Sequence, residues 1–359
     1  MAGTLNLEAD VVELTRAICD IESVSGNEKT LADAIEKSLS GYAHLEVIRD
    51  GDAIVARTNL GRANRVVIAG HIDTVPVANN LPVQMLSMER EQVLFGRGTV
   101  DMKAGVAVQL KLAATLTAPV SDVTWVFYDH EEVEASKNGL GRLARNNPAL
   151  LEANFAVLCE PTSAQVEGGC NGTMRIDIKL AGVKAHSARP WMGENAIHKA
   201  AKALTILAEY QPAEVEVDGL VYRESLNAVL IDGGIATNVI PDEATITVNY
   251  RFAPSKSASH AEAHLRELFA GFDFEVTDSA EGARPGLDRP EAAAFVAATK
   301  TVARPKYGWT DVARFSALGI PAVNFGPGDP SKAHADDEAV PVSQIYACEK
   351  ALAAWLSVG

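Results

Sequence analysis

Basic residues are in deficit: 32 lysines and arginines stand against 47 aspartates and glutamates, for a net charge of −15. So acidic a chain repels polyanions over any surface without a compensating basic patch, which argues against nucleic acid or an anionic membrane as partner. Cysteine is scarce as well. Cys19, Cys159, Cys170 and Cys348 are far apart and form no C-x-x-C pair, so buried thiols in a reducing compartment are expected rather than disulfides. No stretch approaches 18 uncharged apolar residues, and the opening MAGTLNLEADVVEL is acidic and has no apolar h-region. The expectation is a cytoplasmic protein with no membrane span. Internal repeats and low-complexity tracts are also missing.

What is present is ordinary globular composition, 47% hydrophobic and 22% charged, over 359 residues. That length exceeds what one core usually organises, so two domains are expected. Helical spacing over Leu7–Leu39 breaks at the turn Ser23–Asn27, predicting helix, turn, helix. The fully apolar RVVIAG reads as a strand buried on both faces, VTWVFY at 123–128 and FAVLC at 155–159 read as further strands, and a helix follows Asp101. Strand and helix in alternation predict an α/β fold, a mixed sheet flanked by helices. After Gly172 the pattern changes to strand, helix, strand, strand, helix, strand, an inserted α+β, ferredoxin-like domain. The predicted division is 1–172 for the first part of a catalytic domain, 173–283 for the insertion and 284–359 for the second part.

Five short motifs place polar groups at or just after predicted strands or before a helix: G-His71-I-Asp73-T-V-P, G-R-G-T-V-Asp101-M-K-A-G, D-H-Glu131-Glu132, C-Glu160-P-T and K-A-His334-A-D-D-E. In an open parallel sheet the C-terminal strand ends converge on one crevice, where ligands bind. Two imidazoles and several carboxylates converging there have the composition of a two-metal hydrolytic site, with one carboxylate bridging the ions. The lack of thiolates argues against a closed structural zinc site. In the Glu131-Glu132 pair adjacent side chains point different ways, so one can bind metal while the other moves a proton. Asp73 lies two residues from His71 on an extended segment and can orient the imidazole.

On these motifs the chain resembles the zinc-dependent aminoacylase and carboxypeptidase family M20 of peptidase clan MH, over essentially its whole length. The resemblance implies that His71 and Glu160 hold one Zn2+ and Glu132 and His334 the other. It implies that Asp101 bridges, that Glu131 is the base that activates water, and that Asp73 supports His71; Co2+ is an expected substitute for zinc. It further implies a homodimer formed through the inserted domain, His186 of A-H-S-A-R-P reaching the scissile carbonyl across the dimer, and a cis Asp101–Met102 peptide. The implied substrate is a small N-acylated amino acid, N-succinyl-LL-2,6-diaminopimelate, with acetylornithine deacetylase, aminoacylase and carboxypeptidase activities as alternatives. Two terminal carboxylates call for cationic and amide donors, for which Arg175, Arg189, Asn238, Arg251 and Thr310 are the candidates.

Other polar residues receive plainer readings. His130 is expected to support or pack, Cys159 to be a core thiol, and Asp336-Asp337-Glu338 to be a solvated loop and helix start rather than further ligands. His44, His198, His260 and His264 are expected on exposed loops or helix faces, and Gly96-Arg97-Gly98 lacks the rest of a dinucleotide fingerprint.

Overall fold

The computed structural model describes residues 3–88 and 91–357. Within them the chain forms two compact units, one of residues 3–168, 285–304 and 314–357, the other of residues 169–284 and 305–313. All four cysteines are free and buried. No helix among the described residues is long and apolar enough to cross a membrane.

The first unit is built on a mixed sheet. Its strands run in the order Glu46–Asp50, Ala53–Arg57, Asp122–Tyr128, Arg65–His71, Phe155–Leu158, Ala322–Asn324 and Glu167–Gly168. The four strands from Asp122–Tyr128 to Ala322–Asn324 are mutually parallel. Their side chains are almost wholly buried, as the continuous apolar runs require of strands covered on both faces. Helix Lys103–Thr115 is buried on nearly every side. It packs against the Arg65–His71 strand and against helices Val11–Cys19 and Val342–Ser357. An apolar surface all round is what such a central helix needs. Phe155, Phe295, Phe325 and Trp355 pack with ring centroids 4.9–5.9 Å apart, three of the four pairs edge to face and Phe155–Phe295 tilted, and fasten the last helices to the sheet.

The second unit is a four-stranded antiparallel sheet in the order Ser225–Gly233, Glu243–Phe252, Gly172–Ala181, Asp273–Ala280. Helices Ala196–Glu209 and Ala258–Leu268 lie between the strands in sequence, giving the split βαβ topology expected of the insertion. The strands Gly172–Ala181 and Glu243–Phe252 bury alternate residues, and Ile176, Ile178, Ile246 and Val248 form the core with Ala200 and Leu265.

Two hairpins escape the sequence reading. Gln84–Met88 pairs with Glu91–Phe95, which pairs on its other side with Ala339–Pro341, and Glu214–Val217 pairs with Leu220–Arg223. The Gln84–Met88 strand is exposed along its length, so its Met and Leu side chains show no inward-outward alternation. The three residues Ala339–Pro341 are too few to carry a period. Residues 305–313, assigned from sequence to the second part of the catalytic domain, cluster with the other unit. Asn171 N–H donates to Lys306 O, Cys170 Sγ lies 3.7 Å from Thr310 O, and Trp309 Nε1 donates to Glu281 O.

Gly105 sits where helix Lys103–Thr115 crosses the end of the Phe155–Leu158 strand, and a Cβ there would run into the carbonyl oxygen of Cys159. Gly105→Ala is therefore expected to lower stability by about 1–3 kcal/mol through overpacking. A urea melt followed by circular dichroism checks this, and an unchanged midpoint would show that the helix can retreat without cost.

Candidate metal centre

The four parallel strands deliver their C-terminal ends to one place. His71 is the last residue of its strand, and Glu160 lies two residues beyond Phe155–Leu158. Glu131 and Glu132 follow Asp122–Tyr128, and His334 lies in the loop after Ala322–Asn324. Asp101 ends the Gly96–Asp101 loop that leads into helix Lys103–Thr115, and its peptide to Met102 is cis.

Asp101 presents its two oxygens to two different histidines: Oδ1 is 3.0 Å from His71 Nε2 and Oδ2 is 3.3 Å from His334 Nε2. His334 Nε2 also lies 2.9 Å from Glu132 Oε2. Two ligand groups result, His71 with Asp101 and Glu160, and Asp101 with Glu132 and His334, the atoms of each within 4.8 Å of one another. Zinc takes nitrogen and oxygen ligands at about 2.0–2.2 Å, so tetrahedral ligands of one ion stand about 3.4 Å apart, close to the gaps observed. The donors are imidazole and carboxylate with no thiolate, a set that suits hydrolytic divalent ions.

The electrostatics say the same. Burial pulls the His71 imidazolium down, but the carboxylates of Asp101 and Asp73 more than reverse this and hold it well above its usual range. Asp101 and Glu132 raise His334 to about 10, against the opposing effect of burial. Burial of Asp101 favours its neutral form, yet the two imidazoles hold it far below the usual carboxylate range. Clustered carboxylates thus favour positive charge between them, the demand that a bound cation meets.

Surrounding groups fix these ligands. Asp73, fully buried, accepts from Ser25 Oγ at 2.6 Å and from the backbone N–H groups of Glu131 and Glu132 at 3.0 and 3.1 Å. Against its burial, the His71 imidazole, Ser25 and the Glu131 amide lower its pKa to about 2. His71 Nδ1 is 3.1 Å from the Asp73 carbonyl and 3.4 Å from its carboxylate. Asp73 therefore orients the Glu131-Glu132 turn as well as the imidazole. Buried Lys103 donates to Ile21 O at 2.9 Å and ties the helix carrying the centre to the end of helix Val11–Cys19. His130 bonds Asp129 and approaches Glu28, the supporting place expected of it.

Three residues that support the centre have no such role in the sequence motifs: Ser25, Arg97 and Glu338. In the acidic run Asp336 and Asp337 are exposed, but Glu338 is fully buried, which corrects its reading as part of a solvated loop. It accepts from the N–H groups of Val100 and Asp101 and pairs with Arg97 at 2.8 Å.

In the second unit His186 is exposed, on a two-residue strand paired with Val239–Ile240, and the Ser187 N–H donates to Asn238 O. His186 Nδ1 accepts the Ala188 N–H at 3.1 Å. A neutral ring so held carries its proton on Nε2. Arg189 is exposed in the same loop. Arg175 and Arg251 stand on neighbouring strands; burial first, and then the Arg175 charge, lower the pKa of Arg251. Thr310 is buried, its carbonyl facing Cys170.

Residues 67–357 match the Peptidase family M20/M25/M40. The chain is 45% identical to a succinyl-diaminopimelate desuccinylase of Corynebacterium glutamicum, over 98% of each chain. It is 51% identical, over 98% of its own length and 99% of the other, to a Mycobacterium tuberculosis protein to which the same activity is provisionally ascribed. Its fold is shared with a tripeptidase from Staphylococcus aureus, at TM-score 0.79, 22% identity and coverage of 99% and 98%. The fold is shared too with a dinuclear metal-binding M20 peptidase from Bacillus subtilis, at TM-score 0.68, 16% identity and coverage of 98% and 97%. With its ligand groups at the ends of four parallel strands and a match spanning most of its length, the chain belongs to the M20/M25/M40 family of peptidases.

Proposed function

We infer that this protein is a two-zinc amidohydrolase that cleaves N-succinyl-LL-2,6-diaminopimelate to succinate and LL-2,6-diaminopimelate. The observation that carries the hydrolytic centre is the Asp101 carboxylate turned to two histidines at once. The substrate rests on the activity assigned to the relatives that match nearly the whole chain. His71 and Glu160 would hold one ion and Glu132 and His334 the other, with an Asp101 oxygen within reach of each group. Divalent ions held there supply Lewis acidity to water and to a carbonyl oxygen. Glu131, in the turn fixed by Asp73, takes the proton from the attacking water and returns it to the leaving amine. His186, with its proton on Nε2, donates to the carbonyl oxygen as negative charge develops there. Arg175 and Arg251, with Arg189, Asn238 and Thr310, receive the substrate carboxylates.

The protein works as a homodimer. The Ser225–Gly233 strand ends the sheet of the second unit and exposes Val229, Leu230 and Ile231, with Ile197 and Leu204 exposed on the adjoining helix. A bare apolar edge strand invites pairing with a second copy.

Turnover of the zinc-loaded protein with N-succinyl-LL-2,6-diaminopimelate, N-acetylornithine and a dipeptide is expected to favour the succinyl substrate strongly. Glu131→Gln should keep its metal and lose about 10²–10⁴-fold in kcat. Preference for the acetyl or peptide substrate would overturn the substrate while leaving the centre, and an active mutant would overturn the base.

Metal uptake is expected to release protons. His334, raised to about 10, and His71, raised well above its usual value, are both protonated at pH 7 in the metal-free protein, and each must lose its proton to bind. Affinity should therefore rise with pH, by up to about tenfold per unit for each proton lost. Calorimetry in buffers of different ionisation enthalpy reads the release directly; heats independent of buffer would contradict it. For the dimer, Leu230→Lys is expected to shift the protein to monomer in sedimentation velocity, and a monomeric parent would remove the assembly.

A further inference from the structure

One buried ion pair touches three of the five ligand loops. Arg97 is 3% exposed and Glu338 is fully buried. The guanidinium donates through Nε to Pro76 O at 3.0 Å, in the loop that follows His71 and Asp73. Through Nη1 it donates to Ala335 O at 3.1 Å, the residue after His334, and to Glu338 Oε2 at 2.8 Å. The other carboxylate oxygen of Glu338 accepts from Val100 N–H at 2.8 Å and Asp101 N–H at 3.1 Å. The Glu338 carbonyl in turn accepts from Gly96 N–H at 3.0 Å.

The two ligand groups depend on this pair unequally. His71 ends a strand locked in the sheet, and Glu160 follows the neighbouring strand, with Cys159 N–H bonded to Ala69 O at 2.9 Å. His334 has no such anchor. It sits half-exposed at positive φ, in a stretch containing only a short 3-10 turn, and the carbonyl of its neighbour Ala335 is held by Arg97.

We propose that the Arg97–Glu338 pair is a positioning element that sets the gap between Asp101 and His334, and with it the affinity for the ion held by Asp101, Glu132 and His334. This rests on the two-ion reading above. Groups that orient ligands typically change metal affinity by about 10–100-fold when removed. The fork geometry is essential, because a lysine presents one point charge where Arg97 serves three acceptors.

The test is stepwise Zn2+ titration of metal-free protein against a chromophoric chelator, comparing the parent with Glu338→Gln and Arg97→Lys, with thermal melts alongside. The parent should take up two equivalents. In both variants the first equivalent should change by less than about threefold and the second weaken by about 10–100-fold. Should Glu338→Gln fail to fold, Arg97→Lys, which keeps the charge and removes the fork, carries the same expectation. Parallel weakening of both equivalents would reveal a general structural role and overturn the proposal, as would two unchanged equivalents. A parent protein that binds fewer than two ions would bring down the two-ion reading itself, and this inference with it.

Discussion

Much of the first unit is arranged around one carboxylate, Asp101, kept charged and facing two ways among other negative groups. Asp73, Glu132, Glu160 and Glu338 all have low exposure, and taking so many carboxylates out of water is tolerable only when each meets positive charge or aimed N–H groups. The fold meets that demand locally. Imidazoles face Asp101, backbone amides face Asp73 and Glu338, and a guanidinium closes the far side of Glu338. The sheet brings the groups together, and the buried helix Lys103–Thr115 holds the loop that carries Asp101 against it.

The ligand groups were legible in the sequence because each of four motifs sits just after an apolar run that can only be a buried strand. Parallel pairing then brings those ends together without knowledge of the loops. The inserted domain was legible for a similar reason, its inward and outward residues alternating cleanly in strands such as Gly172–Ala181. The groups behind the ligands were hidden. Glu338 looks like its exposed neighbours Asp336 and Asp337 until the short Ala339–Pro341 strand is paired with Glu91–Phe95. Ser25 lies in a turn whose composition suggests only a break between helices, yet its hydroxyl meets Asp73, 48 residues away in sequence. Local pattern reports which face a residue presents, and only tertiary pairing reports what it meets.

On the proposed function the two units divide the chemical work. The first carries every residue assigned to the ions and the proton. The second carries the donors proposed for the substrate carboxylates, Arg175 and Arg251 on neighbouring strands of its antiparallel sheet and Arg189 and Asn238 in its loops.

The first unit is also discontinuous along the chain, and this orders its birth. A ribosome completes His71, Asp101 and Glu160 early, since all three lie before residue 169. His334 emerges only after the whole second unit has been made. For much of its synthesis the nascent chain holds one ligand triad and two-thirds of the other, with Asp101 already in place and its second histidine not yet translated. The centre is thus built in an order written into the gene, and its last histidine is also the one least anchored by the sheet.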